Sequence, residues 1–82
     1  MEVQRCQIMR SLAGHDKGDF QAVVKLEGSF AYMADGKRRK LEDPKKKKLK
    51  HLAPTGAVLS ENSLSTNRQI RMALEKYREH TT

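Results

Sequence analysis

The 82-residue chain contains one cysteine, no tryptophan and only two Tyr and two Phe. A lone Cys6 excludes an intramolecular disulfide and any multi-cysteine metal site, which points to a reducing, intracellular setting. Few aromatics and a 37% apolar share leave material for a small, largely aliphatic interior, so a large substrate cavity is not expected. No stretch approaches the roughly 18 apolar residues of a membrane span. Residues 1–7 lack the apolar core of a signal peptide. These absences predict a soluble cytoplasmic monomer with no membrane partner.

Acidic residues are also scarce, with 10 Asp and Glu against 17 Lys and Arg, a net charge of +7. The imbalance is local. Residues 37–51 hold nine of the 17 basic groups and two of the ten acids, a net of +7, and the rest of the chain is neutral. A neutral scaffold with one cationic segment suits a polyanionic partner better than a small neutral substrate.

Glycines at 14, 18, 28 and 36 punctuate short β-rich runs, a rhythm that fits hairpins and not helices. Residues 7–12 and 19–27 read as strands. In the second, Phe20, Ala22, Val24 and Leu26 are assigned to one face and Gln21, Val23, Lys25 and Glu27 to the other. Residues 30–34 form the next strand, Asp35-Gly36 the tight turn, residues 37–41 the return, and residues 49–52 a short last strand ended by Pro54. Five short strands within about 50 residues predict a mainly β fold, a small closed barrel, because closure removes exposed edges. Residues 54–65 read as a linker and residues 66–80 as a helix capped by Thr66, with Ile70, Ala73, Leu74 and Tyr77 on one face. The stripe Ile70, Leu74 and Tyr77 either docks on the barrel or meets a protein partner.

Residues 7–24, with Gly14, His15, Asp16, Lys17 and Gly18 in their loop, resemble the KOW motif of ribosomal proteins and transcription elongation factors. Continuing through residues 32–41 and 44–52, the chain resembles small bacterial KOW-domain RNA-binding proteins, which are similar to large-subunit ribosomal proteins of archaeal and eukaryotic type. Cys6 departs from the pattern, which would place glycine there. The resemblance implies an SH3-like barrel over residues 1–53 that binds RNA, ribosomal RNA above all, through a basic loop at residues 37–51.

On this reading Lys37, Arg38, Arg39, Lys40, Lys45, Lys46, Lys47, Lys48 and Lys50 contact phosphates, joined by Lys17, while the KOW loop residues Gly14, His15, Asp16 and Gly18 either offer backbone amides to RNA or form an ordinary turn. Lysines hold a backbone without reading bases, so Tyr32, Phe30 and Phe20 are weighed as stacking surfaces. Tyr32 is kept as a binding residue, whereas both Phe are assigned to the core. The competing reading is an adaptor that meets ribosomal or transcription proteins through the helix stripe. Asp16, Asp19 and Asp35 fall at turns, where local hydrogen bonding explains them. His15, His51 and His80 show no ligand spacing. Cys6 lacks an orienting group for nucleophilic chemistry, and no phosphate-cradling or dinucleotide motif occurs. Neither an enzyme nor a cofactor is expected.

Overall fold

The computed structural model describes residues 2–81. Strands β1 (Gln7–Ser11), β2 (Phe20–Glu27) and β3 (Phe30–Ala34) form where alternation and glycine spacing predict them. Gly18 turns the chain into β2 at φ 91°, a conformation L side chains rarely take.

The next two strands fall later than expected. Asp35 is the cause, because its Oδ1 accepts hydrogen bonds from the N–H of Lys37 and of Arg39, both at 2.8 Å. The N–H groups of Asp35 and Gly36 donate to the Arg39 carbonyl, closing a wide turn where a two-residue hairpin was expected. A second turn, from the Asp43 N–H to the Lys40 carbonyl, follows at 3.0 Å. Pairing with β3 resumes beyond Pro44, so residues 37–41 are no strand and β4 is Lys45–Lys48. The basic segment is therefore not one loop but a turn region, an edge strand and a 3-10 turn (Leu49–His51).

Strand β5 is Leu52–Val58 and runs through Pro54 instead of ending there. Proline is tolerated because β5 lies at the edge of the sheet, where one side needs no N–H donor. The Thr55 hydroxyl donates to the Ile8 carbonyl at 2.6 Å and fastens this stretch to β1.

All pairings are antiparallel, in the order β4-β3-β2-β1-β5. The sheet is not closed into a barrel, since β4 and β5 are its two ends with no ladder between them. Lysine at every position of β4 protects that edge by charge, the alternative to closure. The five-stranded sheet is compatible with an SH3-like fold.

Both faces of the sheet bury apolar groups. Met9, Val23, Ala31, Met33 and Leu52 form one cluster. Cys6, Ile8, Ala22 and Ala34 form the other, with Leu64 and the helix α1 (Asn67–Thr81). The register of β2 against β3 shifts between Val23 and Lys25. This bulge changes the faces: Leu26 opposes Ala31, while Lys25 and Glu27 oppose Tyr32 and Phe30. Gln21, assigned to a polar face, is buried opposite Met9.

Thr66 Oγ1 accepts the Gln69 N–H at 3.1 Å, the expected cap of α1. Ile70 and Leu74 are buried against the sheet, and Tyr77 meets Phe20 edge to face at 5.2 Å between centroids. The helix also presses on the Asp35-Gly36 turn: a Cβ on Gly36 would stand 2.1 Å from the Asn67 carbonyl oxygen. Among the described residues no helix is long and apolar enough to cross a membrane.

Candidate nucleic-acid interface

The outer edge of β4 faces the 3-10 turn Gly14–Asp16 and His51 across an open cleft of about 420 Å³. Lys45, Lys46, Lys47, Lys48, Arg39, His15 and Phe30 line it as well. The turn from the glycine loop and the lysine run thus meet, although some 30 residues of chain separate them.

Asp16 holds this arrangement together. It is 1% exposed, yet its carboxylate meets Arg39 Nε at 2.9 Å, Lys47 Nζ at 3.2 Å and Arg38 Nη1 at 3.5 Å. Burial alone would push its pKa up. The hydrogen bonds from Arg39 and Lys47, with their charges, overcome that and hold the carboxyl down at about 2. Lys47 also donates to Ser11 Oγ at 2.6 Å and is 9% exposed on its side chain. Arg38 reaches the His15 carbonyl at 3.3 Å. Of the eleven residues expected to contact RNA, Arg39 and Lys47 thus have largely structural duties, and Arg38 a partial one.

The remaining cations divide by position. Lys45 and Lys48 are exposed on the cleft, and Lys46 lies 4.5 Å from the Phe30 ring centroid and 5.9 Å from that of Tyr32. Lys17, Lys37, Lys40 and Lys50 are exposed but do not line the cleft, and Tyr32 and Gly18 lie outside its lining too. Lys37 and Arg38 instead flank a second hollow with Asp19, Asp35 and Arg78, whose three-to-two charge makes it a weaker anion attractant.

Two expectations need correction. The stripe Ile70, Leu74 and Tyr77 is packed against the sheet, where with Leu64 it covers an apolar face that would otherwise meet water; it is not an exposed contact surface. Phe20 packs with Tyr77 as core, but Phe30 is half-buried beneath Lys46 and lines the cleft. Asp16 is legible in the sequence only as a turn residue, because its partners lie 22 to 31 positions away and no local pattern encodes them. Sequence reasoning misses His51 for the same reason. Among the described residues no three His, Cys, Asp or Glu side chains group to hold a metal ion.

No protein-family model matches the chain, and no curated protein does either.

Proposed function

We propose that the protein binds RNA, ribosomal or ribosome-associated RNA foremost, by its phosphates along the β4 edge. The observation that carries this reading is the cleft in which Lys45, Lys46 and Lys48 converge with His15, His51 and the Phe30 ring. Exposed ammonium groups held this close repel one another, and phosphates relieve that repulsion while releasing their own counterions. The resemblance of residues 7–24 and 32–52 to KOW-domain RNA-binding proteins supports the same reading.

Filter binding to a structured RNA and to DNA of equal length, over a salt series, tests it. Replacing Lys45, Lys46 and Lys48 together by Gln, with Lys47 left in place to keep Asp16 paired, is expected to weaken RNA binding at least tenfold. It should also reduce the log-log salt slope by about 2, at about 0.7 for each phosphate no longer neutralised. A flat salt dependence, or unchanged affinity in the triple variant, overturns the proposal.

A further inference from the structure

Beside the cleft, β2, β3 and β4 carry an aromatic surface that the helix does not cover. Strand β3 alternates: Ala31 and Met33 point into one core cluster, and Ala34 packs under α1 on the opposite face. Phe30 and Tyr32 share the Ala34 face by that alternation, and both are half-buried. The bulge in β2 brings Lys25 and Glu27 to the same face, and the β4 register adds Lys46 and Lys48. Lys46 Nζ lies over both rings and Lys25 Nζ sits 5.6 Å from the Tyr32 centroid. Glu27 holds the two lysines there, 3.8 Å from Lys25 and 3.6 Å from Lys46.

We propose that Phe30 and Tyr32 form a stacking platform for two neighbouring unpaired bases of a single-stranded RNA, with Lys25, Lys46 and Lys48 taking the phosphates around them. This rests on the RNA-binding reading and specifies the form of RNA. The spacing carries the argument. Residues i and i+2 of a strand stand about 6.7 Å apart, whereas stacked bases in a helical strand repeat about every 3.4 Å. Neighbouring bases cannot each cover one ring unless they splay apart, which a single strand does readily and a duplex does not. Every base has a π face, so the platform accepts many sequences. The lysines are suited to exchange: a base displaces the ammonium from the ring, and the same flexible side chain then reaches the adjoining phosphate.

Fluorescence anisotropy of the full chain with a labelled unstructured RNA of about ten nucleotides, and with the duplex of the same strand, tests the platform. The single strand should bind at least tenfold tighter. Phe30→Leu and Tyr32→Leu should each weaken single-strand binding about tenfold and leave the salt slope and duplex binding unchanged, while Phe30→Tyr retains affinity. A measurement that leaves the platform intact complements these variants. In a Tyr77→Phe protein Tyr32 is the sole tyrosine and no tryptophan is present, so single-stranded RNA should quench the remaining tyrosine emission and duplex should not. Equal affinity for the two forms, unchanged binding by Phe30→Leu, or unquenched emission overturns the platform while leaving RNA binding standing. Binding of neither form overturns both.

Discussion

Asp16 is one carboxylate with three cationic partners from two other parts of the chain. Its folded pKa of about 2 lies below the ordinary value of 3.8. A depressed carboxyl stabilises the fold above the ordinary value and loses that contribution as pH falls through the folded one. The shift corresponds to about 2 kcal/mol, present at pH 7 and lost between pH 4 and pH 2. Asp16→Asn should therefore lower stability in urea melts at pH 7 by about 2 kcal/mol and flatten the loss seen on acidification. Arg39 and Lys47, released from the carboxylate, should also steepen the salt slope of RNA binding in this variant. Cys6 shows a different constraint. It stands at φ 75°, unusual for a residue with a side chain, where the KOW resemblance expects glycine. Its buried thiol donates to Glu61 Oε2 at 3.1 Å, and burial, followed by that hydrogen bond, raises its pKa, so the site favours an inert thiol over a thiolate.

At the scale of elements, the helix and the Asp35-Gly36 turn are fitted to each other. Gly36→Ala places a methyl group against the Asn67 carbonyl at a positive φ of 77°. The fold should lose about 2 kcal/mol or more, read as a lower urea midpoint. Leu74→Ala, at the centre of the helix stripe, should cost about 2 to 5 kcal/mol by leaving a cavity between α1 and the sheet; a stability change under about 0.5 kcal/mol would mean that the helix does not dock. Strand β4 obeys different rules. Four lysines bury little, so this strand is held by backbone pairing to β3 and by Lys47 reaching inward to Asp16 and Ser11. Lys47→Gln should accordingly reduce stability more than Lys45→Gln or Lys48→Gln, a contrast that thermal melts of the three variants measure.

For the whole molecule, a neutral scaffold carries its net charge along one edge and the turns beside it. If about six exposed lysines engage phosphates, the log-log salt slope of single-stranded RNA binding should be about −4, and a slope shallower than about −2 would exclude most of them. Much was already determined by residue order. Glycine spacing and alternation set β1 to β3, the 3.6-residue stripe and Thr66 set α1, and the lysine run marked the cationic segment, because each signal is local. Other features required the chain to be folded. Two backbone hydrogen bonds accepted by the Asp35 side chain displaced β4, edge placement let β5 pass through Pro54, and a bulge moved Lys25 and Glu27 beside the aromatic rings. The division of the basic residues into those tied to Asp16 and those left on the surface was decided only in three dimensions. Like charges adjacent in sequence are indistinguishable until a buried carboxylate, distant along the chain, selects some of them by geometry.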